Sequence, residues 1–256
     1  MTLNCNFNAR SFALTDTADL VKFKLGQNYL QHYKYKLALA VFKNLTLKKP
    51  DNPSYLSYQG ICYYKMVEYD KAIGALKQAI KLKSNSQIAH EYLCYAYSGK
   101  YNDKYLIYGL NDTNHELLRK SIDQAKILVN LSPNSIKARI LLASIASIQN
   151  FDLNLAIKCY KQIIKLKPGD AKYTNSLAYY LALNHNYNSA LKYYNLSLKI
   201  RPHDPFTLAK IAYLYKLKHN CEEFNKYRKS AIESAEKNKY CDKSLAYIKN
   251  SLLSHL

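Results

Sequence analysis

Tryptophan is absent from this chain of 256 residues, and glycine and proline are scarce, with six of each. So few glycines and prolines exclude long flexible linkers and collagen-like structure. No apolar run approaches the roughly 18 residues that a membrane-spanning helix needs, so we expect no membrane span. Residues 1–13 lack a basic flank and a long apolar centre. This predicts no secretory signal and, by default, a cytoplasmic location.

Closely spaced cysteine pairs are also missing. None of the six cysteines forms a Cys-x-x-Cys motif, which argues against zinc and thioredoxin-like sites. Cys62, Cys94 and Cys159 fall in helical patterns, where we expect free, buried thiols. His90-Glu91 begins like the helix of a zinc protease, but Cys94 stands where the second histidine should be. We therefore predict no metal site, no cofactor and no catalytic residues, and hence no enzyme.

Arginine is scarce too, although the chain carries a net charge of +20, and almost all of that charge comes from lysine. Lysine is a solvated point charge, whereas arginine grips phosphate with a planar fork. Lysine, asparagine, tyrosine and isoleucine are all abundant and share A- and T-rich codons, so codon bias is one explanation of the charge. Attraction to nucleic acid or another anionic surface is the other.

A period of 34 residues is the main positive signal. Three pairs in the second half of the chain are separated by 34 positions, namely Ala156 and Ala190, Tyr160 and Tyr194, and Pro168 and Pro202. Near the start, Gly26, Tyr29 and Ala38 recur as Gly60, Tyr63 and Ala72. A fixed period of this size indicates stacked supersecondary units. Small residues let two helices approach closely, and proline ends the second helix of each unit.

The order Leu-Gly, Tyr, Ala, Phe, Pro in residues 25–50 resembles the tetratricopeptide repeat, although Lys22 replaces the usual leading tryptophan. The resemblance implies an all-α fold, a right-handed superhelical solenoid of about six antiparallel helix pairs. We place it at residues 19–238, after a loose lead-in at 1–18 and before a capping helix at 239–256. Capping residues between Thr15 and Asp19 predict that the first helix starts just before Leu20.

The third repeat is irregular because its second helix arrives about 15 residues late. The extra residues lie near 98–115, and Thr113 and Glu116 form a capping box that predicts a lengthened second helix. We expect the rest of this insertion to depart from the solenoid. It is either a functional loop or a lid folded over its own repeat.

The resemblance also implies where a partner binds, since the first helices of such repeats line a concave groove. Chaperone-binding members hold an acidic tail there with a lysine and asparagine clamp. That pattern fails here, because only Asn175 resembles a clamp residue. Helical spacing predicts nine groove residues, namely Lys172, Asn175, Tyr179, Phe206, Lys210, Tyr213, Tyr58, Tyr92 and Tyr95. Packing between repeats is the alternative role for each tyrosine.

We therefore predict a protein-interaction scaffold or adaptor whose partner segment carries acidic and apolar residues. The alternative, from a different class, is a helical-repeat protein whose lysines and tyrosines contact single-stranded nucleic acid. We expect the C-terminal half to be the main binding surface. There Tyr179 and Tyr213 should lie side by side along the groove, flanked by Lys172 and Lys210.

Overall fold

A computed structural model describes the backbone of residues 6–108 and 112–237, and the side chains of residues 17–106 and 115–237. The chain divides into two compact units, residues 1–133 and 134–256. Unit 1 contains α1 (Asn6–Gln31), α2 (Tyr35–Lys48), α3 (Pro53–Lys65), α4 (Tyr69–Leu82), α5 (Gln87–Tyr108) and α6 (Asp112–Leu131). Unit 2 contains α7 (Ile136–Ala146), α8 (Leu153–Leu166), α9 (Ala171–Leu183), α10 (Tyr187–Ile200), α11 (Pro205–Leu217) and α12 (Cys221–Lys237).

Each odd-numbered helix packs against the even-numbered helix that follows it, which gives three pairs in each unit. Within the described ranges, all of this regular structure is helical; a short 3-10 turn, Ile148–Asn150, stands between α7 and α8. The predicted all-α chain of about six helix pairs is confirmed. The predicted capping helix at 239–256 lies outside the described residues.

Small residues set the distance between paired helices. A Cβ atom added at Gly26 of α1 would lie 2.6 Å from the ring of Phe42, which is fully buried on α2. One period later, a Cβ at Gly60 would collide in the same way with Leu76 of α4. Since real Cβ atoms need about 3.5 Å from a neighbouring carbon, these glycines allow a helix spacing that a larger residue would forbid.

The turn inside most pairs contains one residue in the left-handed region of the backbone. Tyr33 and Val67 take this role in unit 1, and His185 and His219 take it in unit 2, with φ between 55° and 65°. In each turn the next residue donates its N–H to a carbonyl five positions earlier; Lys34 to Tyr29, at 2.8 Å, is one example. This is the hydrogen bond that ends a helix in a Schellman motif.

The predicted start of the first helix, just before Leu20, is wrong. Helix α1 begins at Asn6 and includes most of the stretch predicted as a loose lead-in. Residues 6–25 contain neither glycine nor proline, so nothing in them breaks a helix. Asp19 is not a cap but is buried, with its carboxylate 3.4 Å from Nζ of Lys48 and 3.5 Å from Nζ of Lys49. It thereby ties α1 to the end of α2.

The extra residues of the third repeat lengthen both helices, so the expectation of a loop or lid is wrong. Helix α5 has 22 residues and α6 has 20, against 13 and 14 in α3 and α4. The lengthened second helix was predicted correctly. The extension of α5 lies against the start of α4, because Gly99 leaves room for the ring of Tyr69 and Lys100 pairs with Asp70. Continuous helix satisfies its own backbone, which a long loop could not do so simply.

Val67 is a strained residue, since a β-branched side chain at φ 65° clashes with its own backbone. Asparagine tolerates this conformation, and Val67 is 58% exposed, so little packing is lost. We expect Val67→Asn to raise the free energy of unfolding by about 1 kcal/mol. Urea denaturation followed by circular dichroism measures this change. Val21→Asn is the matched control, because Val21 is 66% exposed within α1. If both variants shift stability equally, Val67 is not strained.

Candidate partner-binding site

A pocket of about 630 Å³ lies between α9 and α11, the first helices of two consecutive pairs in unit 2. Its walls come from aromatic and aliphatic side chains, and Tyr194 of α10 contributes to the lining between them. A volume of this size is typical of sites that hold a small molecule or one or two side chains of a peptide. The pocket therefore offers a bulky apolar group a place to bury its surface.

Four of the residues predicted for the C-terminal half line this pocket, namely Tyr179, Phe206, Lys210 and Tyr213. Tyr179 and Tyr213 occupy equivalent positions 34 residues apart, each directly after the small residue of its first helix. They are 44% and 43% exposed. Rings with this much free surface are not core residues, so unit 2 has exposed aromatic area where the sequence predicts it.

The other two, Lys172 and Asn175, are not among the residues that line the pocket. Lys172 is exposed in the first turn of α9. Asn175 faces the next pair instead, where its Nδ2 donates a 2.6 Å hydrogen bond to Oγ1 of Thr207. Thr207 in turn donates to the carboxylate of Asp204, the N-cap of α11. Asn175 thus links α9 to the start of α11.

Lys210 is held among aromatic rings. Its Nζ lies 5.8 Å from the ring centroid of Tyr179 and 6.0 Å from that of Tyr194, within the range of cation–π attraction. Although the side chain keeps contact with solvent, poor solvation by the surrounding protein lowers the pKa of Lys210, and Asp204 partly opposes this shift. An ammonium in such a place gains more from an anionic ligand than a fully hydrated lysine does.

Tyr179 is positioned from both sides. Its ring meets that of Tyr180 edge to face, with centroids 5.3 Å apart, and Lys210 lies over it from α11. Tyr180 stacks in turn on Tyr160 of α8 at 5.2 Å, and its hydroxyl is 3.3 Å from Oγ of Ser147. A ring fixed in this way loses little conformational entropy when it binds a partner.

Sequence reasoning missed residues that do not belong to first helices. Tyr194 of α10 is only 2% exposed, and Tyr187 begins the same helix. His185 lies in the turn between α9 and α10 and also lines the pocket. The sequence holds one signal for His185, because it stands 34 residues before His219 in the equivalent turn. No Asp or Glu occurs among the described lining residues.

The predicted groove residues of unit 1 are more buried. The ring of Tyr58 packs 4.9 Å from Phe23 and 5.0 Å from Phe42, and its hydroxyl accepts a 2.6 Å hydrogen bond from Gln27. Tyr58 therefore contributes to packing between α1, α2 and α3. Tyr92 and Tyr95 of α5 are half-buried and contact each other, with ring centroids 5.7 Å apart.

The residues that resemble part of a zinc motif serve packing. His90 is buried, with Nδ1 at 2.7 Å from Oε1 of Gln124 and Nε2 at 2.8 Å from the carbonyl oxygen of Ser84. Cys94 donates its thiol to the carbonyl of Ser121, at 3.3 Å. The part of the chain that the structure describes holds no group of three potential metal ligands. Nor does any helix in that part have the length and apolarity to cross a membrane.

Burial raises the pKa of the Cys62 and Cys94 thiols to about 12 and that of Cys159 to about 11, whereas Cys221 is exposed. Only thiolates react with alkylating agents. In native protein at mildly alkaline pH, we expect iodoacetamide to label Cys221 at least tenfold faster than the other three, by roughly the thiolate ratio. Peptide mass spectrometry measures the rates. Rapid labelling of Cys94 in folded protein would contradict this assignment.

The tetratricopeptide repeat family profile matches residues 23–87 and 148–205. Among solved structures, the C-terminal part of a TPR repeat-containing protein from Cytophaga hutchinsonii is 18% identical, with a TM-score of 0.66 over 84% of this chain and 80% of that chain. A thermophilic TPR protein of Thermus thermophilus is 16% identical, with a TM-score of 0.53 over 77% and 99%. YrrB, a TPR protein with an unusual peptide-binding site, is 14% identical, with a TM-score of 0.55 over 80% and 95%. At these identities the likeness concerns the fold. No curated protein matches the sequence.

Proposed function

Because this chain is a tetratricopeptide repeat protein, we propose that it is an interaction scaffold that holds a segment of a partner protein in the pocket between α9 and α11. The pocket itself is the observation that carries the proposal. It combines exposed aromatic rings with a poorly solvated ammonium, and no carboxylate occurs among its described lining residues. Such a surface suits a protein segment with a bulky apolar side chain near an acidic one.

The apolar part of the interaction would come from Tyr179, Phe206 and Tyr213. Tyrosine offers a large apolar area with few rotatable bonds, and its hydroxyl can bond to a partner's backbone. Nearly half of each tyrosine is exposed in the absence of a partner. Covering these rings would remove apolar surface from water, which is the main favourable contribution to binding.

The charged part would come from Lys210, with His185 at the pocket as a second basic group. Aromatic rings position the ammonium of Lys210 at the pocket, where an acidic side chain of the partner could reach it. Pairing with that carboxylate would restore the solvation that the ammonium lacks. This requirement separates an acidic partner from a neutral or basic one.

The likeness to YrrB supports the proposal, because a similar fold carries a peptide-binding site in that protein. The nucleic-acid alternative has no comparable observation in its favour. Lys210 is the only lysine among the described lining residues, and no arginine is found there. Tracking a phosphate backbone needs several such contacts.

The double variant Tyr179→Ala, Tyr213→Ala tests the aromatic surface. Each buried interface aromatic contributes about 2 kcal/mol or more, so we expect capture of the partner to fall at least tenfold. The melting temperature should change little, because both rings are largely exposed. The measurement is quantitative mass spectrometry of proteins captured by the full chain, followed by anisotropy with a labelled peptide from the enriched protein.

Leu166→Ala with Leu196→Ala is the matched control, since these residues are 40% and 42% exposed on the second helices α8 and α10. This control should capture the partner as the parent chain does. If the tyrosine variant is stable and retains every partner, the proposal is wrong. If it melts much earlier, the two rings stabilise the repeat stack and the site lies elsewhere.

Lys210 gives a pH dependence whose direction can be stated. Its pKa is lowered, so its ammonium loses the proton at a lower pH than an exposed lysine. An acidic peptide pairs only with the protonated form, so affinity should decrease as the pH rises through that pKa. Lys210→Met should weaken binding about tenfold at neutral pH and reduce the pH dependence. Lys199→Met, on the exposed face of α10, is the control and should behave as the parent. An unchanged pH profile in Lys210→Met would exclude this pairing.

A further inference from the structure

We propose that unit 1 contains a second binding site, independent of the pocket in unit 2, that takes an arginine side chain of a partner protein. The site is formed by Tyr64 at the end of α3 and by Glu91, Tyr92 and Tyr95 on α5, a group that we call the tyrosine cluster. All four residues are half-buried, so each still presents part of its side chain to solvent.

Three rings of the cluster contact one another. Tyr64 stacks on Tyr95 with centroids 5.8 Å apart, while Tyr92 meets Tyr64 and Tyr95 edge to face, each at 5.7 Å. Tyr92 also packs against the apolar core of unit 1. The mutual packing fixes the orientation of the rings before any ligand arrives, which reduces the entropy lost on binding.

A carboxylate lies beside these rings. The hydroxyl of Tyr95 donates to Oε1 of Glu91 at 3.3 Å. Burial raises the pKa of Tyr92 and Tyr95, and the nearby charge of Glu91 raises both further. The phenols therefore stay neutral across the physiological range, and the negative charge of the cluster belongs to Glu91. Electron-rich ring faces together with one carboxylate form a surface that attracts a cation.

The protein already places one of its own cations on this surface. Nζ of Lys65, the residue after Tyr64, lies 5.6 Å from the centroid of the Tyr64 ring. Lys65 is exposed at the last position of α3. Its position shows that a ring face of the cluster is open to a positively charged group, and a partner's side chain would compete with it there.

Arginine fits this site better than lysine does. Its planar guanidinium can stack on a tyrosine ring and still direct two N–H groups at a carboxylate, which the ammonium of lysine cannot do. The whole chain carries a charge of +20 and repels cationic peptides at long range. Attraction of arginine must therefore come from local contacts, within the roughly 8–10 Å over which charges act in physiological salt.

The two units use equivalent repeat positions for opposite charge preferences. Tyr92 and Tyr95 stand two residues before and one after Cys94, the small residue of α5; Lys210 and Tyr213 have the same places around Ala212 in α11. Unit 2 therefore has a lysine where unit 1 has a tyrosine beside Glu91. We infer that the pocket in unit 2 selects acidic segments and the tyrosine cluster selects an arginine.

Fluorescein-labelled hexa-arginine and hexa-citrulline test this site on the full chain by fluorescence anisotropy. Citrulline has the shape of arginine without its charge. We expect the parent protein to bind hexa-arginine about tenfold or more tightly than hexa-citrulline, with hexa-lysine in between. Glu91→Gln, which changes only the charge, should lower the affinity for hexa-arginine about tenfold. Lys65→Met should raise that affinity, because it removes the internal competitor.

Asp123→Asn is the matched control, since Asp123 is an exposed acid on α6 whose described ion-pair partner is Lys126 on the same helix. It should bind hexa-arginine as the parent does. Equal binding of hexa-arginine and hexa-citrulline, or no binding of either, overturns the proposal without any variant. A Glu91→Gln protein that binds hexa-arginine as tightly as the parent also overturns it, as does an equal loss in Asp123→Asn. Lys210→Met should leave this binding unchanged, which keeps the result separate from the test of unit 2.

Discussion

The close approach of helices at small residues is the constraint on which the rest of this structure depends. Where Gly26 meets Phe42 and Gly60 meets Leu76, two backbones come near enough for one large side chain to fill the space between them. This contact recurs with the sequence period, so each pair has nearly the same thickness as the next. Equivalent positions on first helices are consequently brought close together within a unit, and Tyr179 and Tyr213 share one pocket for this reason.

The repeat itself could be predicted because its signals are local. A small residue, an aromatic residue and a proline at fixed spacing describe one helix pair, and their recurrence predicts the next pair. The start of α1 could not be predicted in this way, since the capping residues near Asp19 were a positive signal for a start that the protein does not use. The late second helix of the third repeat showed only that residues were inserted. Whether they form a loop or extend α5 and α6 depends on contacts with α4 that no spacing reveals.

The candidate site was predictable to a similar extent. Helical spacing identified the residues of α9 and α11 that line the pocket, because the pattern of first helices is regular. It did not identify Tyr194 or His185, whose positions depend on how three helices and a turn meet. It also placed Asn175 in the groove, whereas a hydrogen bond to Thr207 directs this side chain to the next pair. The choice between a polar residue that binds a ligand and one that bonds to the protein requires coordinates.

The turns inside the pairs are specified by backbone hydrogen bonds and a left-handed residue, and the side chain at that residue takes no part in closing them. Tyr33, Val67, His185 and His219 fill the same position with different chemistry. One of them, His185, lines the pocket of unit 2. A mutation at this position can therefore change the polarity or charge next to a ligand while the architecture stays the same. Ligand preference and structural integrity are governed there by different atoms, so natural variation could alter the first without endangering the second.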